Sequence, residues 1–458
     1  MVPTYFVLVG ANPTTHYIKV DGSYVAYQVV GQGPPDLVFM PHWFCNVEGL
    51  WDLPPLERFT RHLTSLGRVI LFDKRGTGLS DPPSGTRPFL ESFADDIVAV
   101  VDAAEAPRVT LIAGDTAGLV AIMFAATYPD RVANLILVNS FPGLVPPEEY
   151  PTGLPPEEME QHSSEILRVF VHGDVSRVAP SLASDPGAAA QIVRFMRMSA
   201  SPGSAYQARS QILRLDVREI LSTVRVPTLV IHRADNRFYG VVHGRYLGTH
   251  IPGAEYVELD GADQLMYLGD ADTVLNSIEH FLRGEIRAPG SERALATVLL
   301  TDIVDSTARA AQLGDRHWRD TLEAYEREVL RELERFRGTR IKSTGDGTLA
   351  IFDGPGRAIH CATALRDAAL LLGLRLRCGL HTGEIELRGT EVAGIAVHIA
   401  QRIESVATPG EVFVSRTVTD LVAGSEIDFE DRGEYDLKGV PGSWKLFAVR
   451  DDAPGIRA

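Results

Sequence analysis

Cysteine, long apolar runs and basic charge are all scarce in this sequence of 458 residues. Its three cysteines, Cys45, Cys361 and Cys378, are odd in number and lie in apolar stretches, which indicates reduced core thiols rather than a disulfide framework. No apolar run reaches the ~18 residues of a membrane-spanning helix, so we expect no membrane anchor in this chain. Together these absences predict a cytoplasmic protein.

The charge balance is acidic, with 44 Lys and Arg against 60 Asp and Glu and a net charge of −16. Such a surface repels nucleic acid and anionic membranes, so we expect neither as a partner. An anionic substrate would need cations placed locally. The length favours two or three domains, and 45% hydrophobic residues are enough for large cores.

Two different rhythms divide the chain. In residues 1–284, short apolar runs such as 69–72 and 135–138 alternate with helical patterns, which predicts a mostly parallel α/β sheet. A Pro-rich stretch interrupts this rhythm and predicts a helical cap insertion at about 142–222. Residues 285–293 have no periodicity and read as a linker. Residues 294–458 mix strands, a hairpin and helices in an order typical of an α+β domain.

Two aspartates in the second part carry the strongest chemical signal. Asp302 and Asp346 each stand where an apolar β-run breaks into a turn. Two such carboxylates can hold a pair of hard cations, Mg²⁺ or Mn²⁺, against a triphosphate. Asp305 and the two residues after it are typical of a helix N-terminus, which would aim free backbone N–H groups at an anion.

With these motifs, residues 294–450 resemble a class III nucleotide cyclase domain. The resemblance implies a ferredoxin-like α+β fold and conversion of a nucleoside triphosphate to its 3′,5′-cyclic monophosphate and pyrophosphate, as in signal transduction. It also implies a homodimer, because metals and transition-state groups come from opposite subunits in this family.

The nucleobase of the substrate is inferred from one donor and one acceptor side chain. Lys342 stands four residues before Asp346, as the base-binding lysine does in the family, and Glu391 falls at the usual position of an acceptor Asp. Adenine offers an acceptor at N1 and a donor amine at C6, so this pair favours ATP over GTP. The prediction is therefore an adenylate cyclase.

Four further residues complete the predicted site. His398 and Arg402 lie one turn apart on the helix predicted for 395–406, where the family has Asn and Arg that stabilise the transition state. The Arg402 guanidinium suits that role, whereas His398 departs from the pattern. By resemblance, Thr307 and Lys438 contact the triphosphate.

The first part, over residues 15–284, resembles an α/β-hydrolase whose catalytic triad has been replaced. The elbow motif Gly-x-Ser-x-Gly falls on 114–118 and puts Thr116 at the serine position. Asn236, beside Asp235, takes the acid position, and Gln264 stands where the family has its histidine. Without an imidazole base, efficient ester hydrolysis is not expected. The cleft under the cap would then suit a small apolar ligand and make this part a sensor.

Two alternatives to the adenylate cyclase stay open at this stage. The complete α/β scaffold is compatible with an esterase-like hydrolase whose cyclase half is vestigial. The departures at His398 and Glu391 are compatible with a non-catalytic regulator that binds a nucleotide or lipid.

Overall fold

The computed structural model describes residues 13–83, 88–144, 156–284, 293–343, 346–388 and 391–450, which form two eight-stranded sheets. Of the predicted linker, only Arg293 lies within the described residues, and it begins a strand. Among the described helices, none is both long and apolar enough to cross a membrane.

The first sheet has the strand order β1-β2-β4-β3-β5-β6-β7-β8. Strands β1 and β2 pair antiparallel, as do β2 and β4, and the pairs from β4 and β3 through to β8 are parallel. The strands are β1 (His16–Val20), β2 (Ser23–Val30), β3 (Asp36–Met40), β4 (Arg68–Phe72), β5 (Val109–Gly114), β6 (Val132–Val138), β7 (Thr228–Arg233) and β8 (Glu255–Leu259).

In the described residues, eight α-helices accompany the first sheet, and three of them, α4 to α6, stand between β6 and β7, in the stretch predicted as the cap. The helices are α1 (Pro54–Leu66), α2 (Phe89–Ala103), α3 (Ala117–Thr127), α4 (Pro156–His172), α5 (Pro186–Ser199), α6 (Pro202–Ile212), α7 (Val241–His250) and α8 (Ala271–Arg283). The α/β hydrolase fold predicted from the sequence is confirmed.

Helix α3 is apolar on every side, and residues 117–126 are all buried. A helix without a polar face needs cover all round. Strands β5 and β6 pack on α3, and so does a strand of the second sheet, β9 (Arg293–Ile303).

The second sheet has the order β10-β11-β9-β12-β14-β16-β15, with β13 paired to β12. Its only described parallel pair is β12 with β14; the others are antiparallel. After β9, the strands are β10 (Thr339–Ser343), β11 (Gly347–Phe352), β12 (Leu376–Arg388), β13 (Glu391–Ala393), β14 (Val412–Ser415), β15 (Phe429–Asp436) and β16 (Ser443–Val449).

Helices cover the two faces of this sheet unequally. Helices α9 (Ser306–Arg335), α10 (Pro355–Leu371) and α12 (Arg416–Leu421) pack on one face, and α11 (Ile395–Val406) packs on the other. Helix α9 is kinked at Gly314, whose φ is 76°. The α+β domain predicted from the sequence is confirmed.

The two parts share a contact that is apolar at some points and charged at others. Leu295 and Leu421 of the second part belong to the hydrophobic core of the first. Arg357, at the start of α10, pairs with Asp95 of α2. The Tyr128 hydroxyl donates to Asp353 Oδ2 at 2.5 Å. These contacts lie at the end of β9 opposite to Asp302.

Glycine permits the closest part of this contact. A Cβ atom added to Gly354 would lie 2.5 Å from the Cδ atom of Glu91 on α2. The backbone N–H of Gly356 donates to the Glu91 carboxylate. Glu91 is buried, and burial raises its pKa to about 7 although Arg357 opposes the shift.

Candidate active site

Asp302 and Asp346 lie side by side at one end of the second sheet. Asp302 is near the end of β9, opposite Gly347 of β11, and Asp346 directly precedes that glycine. The Ile303 N–H donates to the Asp346 carbonyl oxygen at 3.1 Å. The Ser306 hydroxyl, in the first turn of α9, donates to Asp346 Oδ2 at 2.7 Å. Antiparallel pairing thus brings together two residues 44 positions apart.

The electrostatics of this pair suit a cation. Burial raises the pKa of Asp302, and the Asp346 charge raises it further, while Arg377 opposes both effects. Two neighbouring carboxylates repel each other until a cation neutralises them. Among the described residues, no cluster of three or more His, Cys, Asp or Glu side chains is placed to hold a metal ion. A cation here would therefore complete its coordination with water or substrate oxygens.

Strand register places several charged side chains on one face of the sheet. Residues paired across neighbouring strands share a face. Arg377 of β12 pairs with Asp302, and Lys342 of β10 pairs with Leu349, which pairs with Leu300 of β9. Since Leu300 and Asp302 are two positions apart, all these side chains stand on the face that carries α11.

Arg377 and Glu404 are members of this site that sequence reasoning missed. The Nε atom of Arg377 is buried and has no hydrogen-bond partner within the described part of the chain. Burial raises the pKa of Glu404, on α11, to about 7; Asp302 adds to this shift and Arg377 opposes it. The alternation of 375–380 indicates a strand, but only the register reveals that Arg377 stands beside Asp302.

Helix α11 lies against β12 through small residues. Its buried residues are Ala396, Ile399, Ala400 and Ile403. A Cβ atom at Gly379 of β12 would collide with the backbone of α11. Glycine at this position therefore allows the helix to approach the strand.

His398 and Arg402 are less buried than that face. His398 is exposed and Arg402 half-buried. Two apolar side chains of α11 also lie outside its buried face: Ile395 is 54% and Val406 37% exposed. Ala396 and Ala400, on the buried face of α11, pack against the sheet.

The remaining predicted site residues are placed only in part. Glu391 begins β13, opposite Arg388 of β12, and Thr307 lies in the first turn of α9, but both side chains lie outside the described ones. Lys438 is exposed in the turn after β15, which joins β16. The described contacts do not join Lys438 to the aspartate pair.

In the first part, the elbow residue differs from the predicted one. The strained corner between β5 and α3 is Asp115, with φ 56°, whereas Thr116 has φ −71° and begins the helix. The prediction of Thr116 at the corner is therefore wrong by one residue. Gly114 and Gly118 fit the motif in one register, but the backbone turns at Asp115. Its Oδ1 accepts the Thr116 N–H at 2.7 Å.

The surroundings of the elbow are buried and, among the described residues, contain no hydrolytic triad. Asn236 Nδ2 donates to Gln264 Oε1 at 2.7 Å, and Gln264 Nε2 donates to the Asn139 carbonyl oxygen at 3.0 Å. Two amides stand where an acid and an imidazole would be, and both are buried. His42 Nδ1 is 3.7 Å from Asp115 Oδ2, while the buried Thr116 hydroxyl has no partner among the described residues.

Comparison with known families gives two matches, one in each part of the chain. The family described as alpha/beta hydrolase fold matches residues 61–271, and the family described as adenylate and guanylate cyclase catalytic domain matches residues 291–451.

Individual relatives match one part or the other. A Rhizobium meliloti protein named as a candidate adenylate cyclase is 32% identical over 158 residues, which are 32% of this chain and only 27% of that protein. A pimeloyl-(acyl-carrier protein) methyl ester esterase of Neisseria meningitidis serogroup C is 26% identical over 44% of this chain and 81% of its own length. The crystal structure of a bromoperoxidase from Bacillus anthracis matches with a TM-score of 0.51 and 20% identity, over 59% of this chain and all of that one, which concerns the fold alone.

Proposed function

We propose that this chain, which joins an α/β hydrolase fold to an adenylate and guanylate cyclase catalytic domain, converts ATP to 3′,5′-cyclic AMP and pyrophosphate. The observation that carries the proposal is the juxtaposition of Asp302 and Asp346, with Arg377 and Lys342 on the same sheet face. Carboxylates for a cation and cations for phosphates are the groups that phosphoryl transfer requires.

Asp302 and Asp346 would hold the divalent cations, Mg²⁺ or Mn²⁺. When bound, these ions neutralise phosphate charge and make the ribose 3′-hydroxyl a better nucleophile. The Ser306 hydroxyl keeps the Asp346 carboxylate in place by donating to Oδ2. The reaction itself requires no covalent participation of the protein.

The chain's own cations then orient and stabilise the phosphates. Arg402, always charged, would face the phosphorus under attack, and His398 would donate to the ribose. The buried Nε of Arg377, which stands beside Asp302, finds no acceptor among the described residues, so we add Arg377 to the phosphate-binding groups. The backbone N–H groups at the start of α9, with Thr307, and the more distant Lys438 would contact the leaving pyrophosphate.

A second copy of the chain would complete the site. Helix α11 leaves Leu300, Leu349 and Ile351 only partly buried on its sheet face, and its own Ile395 is 54% exposed. Exposed apolar surface of this kind favours a partner. We therefore propose a homodimer with two composite sites, in which the aspartates of one subunit work with Arg402 and His398 of the other.

Specificity for ATP rests on Lys342 and Glu391. Lys342 is exposed on β10 and can donate to N1 of adenine, and Glu391 can accept from the amine at C6. Guanine presents the opposite pattern at these positions. The proposal thus predicts that exchange of the two charges, Lys342→Glu with Glu391→Lys, lowers the preference for ATP over GTP.

The first part is proposed as a sensor domain without efficient hydrolase activity, spanning residues 1–284. The turn between β5 and α3 has the backbone form of a hydrolase elbow, but the amides Gln264 and Asn236 cannot act as a base for a nucleophile there. The proposed cyclase unit, residues 294–458, contains every group assigned to metal, base and phosphate.

The decisive experiment is an assay of purified full-length protein with ATP and either Mg²⁺ or Mn²⁺. We expect 3′,5′-cyclic AMP, with a specific activity that rises with protein concentration as dimers form. GTP in place of ATP should give far less cyclic product. Absence of product with both metals over a wide range of protein concentration would refute the proposed function, and equal turnover of GTP would refute the assigned base specificity.

A further inference from the structure

A cavity of about 650 Å³ lies where the two parts of the chain meet. One wall is the loop 74–83 together with α2, and another is the end of α5 with α6. The third wall is the turn 424–426 of the cyclase domain. The volume is within the range of small-molecule sites. Asp115, Thr116 and Gln264 do not line this cavity, so it is separate from the hydrolase elbow.

Lys74 is a cation in this cavity without an ionic partner. Its Nζ donates to the Arg75 carbonyl oxygen at 3.0 Å and lies 5.1 Å from the ring centre of Phe89 and 5.6 Å from that of Trp43. No carboxylate of the described residues lies within 4.0 Å of it. Burial lowers the pKa of Lys74 to about 8; Asp96 opposes this shift and Arg75 adds to it. An ammonium group that has unused hydrogen-bond donors and is partly desolvated is stabilised by a bound anion.

The other charged groups of the lining are already paired or face solvent. Arg75 pairs with Asp96 at 2.6 Å, and Arg197 donates to the Phe170 carbonyl oxygen at 2.6 Å. Glu426 is exposed at the rim. Three cations against two carboxylates line the cavity of a protein with a net charge of −16, so the site selects anions locally.

Apolar groups stand beside the Lys74 ammonium. Phe89 and Phe93 of α2, Pro82 and Pro83 of the loop, and Met198 of α5 all line the cavity. A ligand that satisfies both features has an anionic head for Lys74 and an apolar body for these side chains.

We propose that this cavity binds a small amphipathic carboxylate, with its head on Lys74 and its apolar body against Phe89, Phe93 and Met198, in contact with the 424–426 turn of the cyclase domain. Binding itself does not depend on the proposed cyclase function. Only its consequence for nucleotide turnover rests on that function.

The cyclase turn is held close to the cap by glycine. Gly424 has φ +80°, and a Cβ atom there would lie 3.0 Å from the Cα atom of Gln211 on α6. A ligand that orders this wall therefore touches both parts of the chain. Order in the 424–426 turn can be measured without any enzymatic assay.

Binding is tested by isothermal titration calorimetry of the full chain with octanoate, with 1-octanol as the uncharged probe. We expect saturable one-to-one binding of octanoate, and at least about tenfold weaker binding of 1-octanol, since a charge-assisted hydrogen bond is lost. Lys74→Met, which keeps the length and the contact with the rings, should weaken octanoate binding about tenfold.

Lys19→Met is the matched control, because Lys19 also lies over a ring, that of Tyr24, but is exposed and does not line the cavity. It should leave octanoate affinity unchanged. Ala208→Leu, which narrows the cavity and keeps Lys74, should also weaken binding and serves if Lys74→Met does not fold. No saturable binding to the unmodified chain, or equal affinity in Lys74→Met and Lys19→Met, would overturn the proposed site.

Hydrogen exchange tests the contact with the cyclase domain. Saturating octanoate should slow exchange in the peptide that contains 424–426, and Lys74→Met should abolish that protection at the same octanoate concentration. Binding without protection of this peptide would overturn the two-domain part of the proposal. If octanoate binds and protects but no cyclic nucleotide is ever formed, only the proposed function fails.

Discussion

The two candidate sites of this chain lie at comparable places, each at a turn that follows a strand, yet their surroundings differ. Asp302 and Asp346 stand at an open end of the second sheet, half-buried, with Arg377 beside them. Asp115 and Thr116 are buried, and the positions around them hold the amides Asn236 and Gln264. One site keeps charges that need a ligand, and the other holds two amides that hydrogen-bond to each other within the protein.

The comparison shows that a fold and its chemistry depend on different residues. Helix α3 begins at the elbow and is buried on every side, partly by β9 of the cyclase domain. The positive φ at Asp115 and the apolar helix after it maintain the hydrolase fold. These features do not depend on a catalytic base, so the scaffold can serve as a body against which the second part of the chain packs.

The largest expected effect is at the open site. Asp302→Ala should lower cyclase activity by about 10³-fold or more, because it removes several kcal/mol of transition-state stabilisation supplied through the cation. Asp367→Asn, a carboxylate loss on the exposed side of α10, is the control and should stay near full activity. The measurement is the initial rate of cyclic AMP formation in Mg²⁺ and in Mn²⁺. An Asp302→Ala enzyme within tenfold of the unmodified one would remove this residue from the site.

A second effect tests whether the open site is shared between subunits. Arg402→Ala should be as inactive as Asp302→Ala, but a mixture of the two should regain about a quarter of full activity. Half of the dimers are then mixed, and each has one intact site of two. Subunit exchange must be verified with differently tagged chains. A mixture that exchanges subunits and stays inactive would contradict the composite site.

The sequence predicted much of the open site and less of the closed one. Asp302 stands out because it follows an apolar run, and Asp346 because it lies between two glycines before another such run; local turn chemistry of this kind is visible in sequence. Arg377 and Glu404 escaped notice because their positions depend on pairing between β9 and β12 and on the packing of α11. The elbow was misplaced by one residue because glycines at 114 and 118 match the motif, while the corner is set by the backbone.

The contact between the two parts was not predicted at all. Arg357 and Asp95 are 262 residues apart, and nothing in either segment indicates the other. Such pairings arise only from the complete tertiary structure. Their effect on stability is nevertheless open to measurement through pH.

A moderate effect is expected at this contact, where Glu91 lies buried with a pKa of about 7 against an ordinary value of 4.5. The folded state binds the Glu91 proton more tightly than the unfolded state, so stability falls as pH rises from 4.5 to 7, by roughly 3 kcal/mol at most. Glu91→Gln cannot ionise and should escape this loss. Urea unfolding at pH 5 and pH 8 should therefore show the variant gaining on the unmodified chain as pH rises.

The control for Glu91 is Glu57→Gln on α1, which removes a carboxylate that forms a half-exposed pair with Arg61. It should follow the unmodified chain at both pH values. Parallel curves for Glu91→Gln and the unmodified chain would show that Glu91 titrates normally. The contact around Gly356 would then lack the buried acid inferred here.

The smallest expected effect is at the closed site, and it is the one that distinguishes the two halves most directly. Asp115→Asn should change the cyclase rate by less than about twofold, because Asn tolerates the positive φ and its Oδ1 can still accept the Thr116 N–H. The same variant and Thr116→Ala should leave the hydrolysis of short acyl esters at background, as in the unmodified chain, since Gln264 cannot take a proton from either side chain. Asp302→Ala, assayed beside them, shows that the cyclase measurement is sensitive.

Ester turnover by the unmodified chain that disappears in Asp115→Asn would mean that the elbow retains a nucleophile. The closed site would then be a hydrolase centre with a base other than the expected histidine, and His42, 3.7 Å from the Asp115 carboxylate, would be the residue to change next.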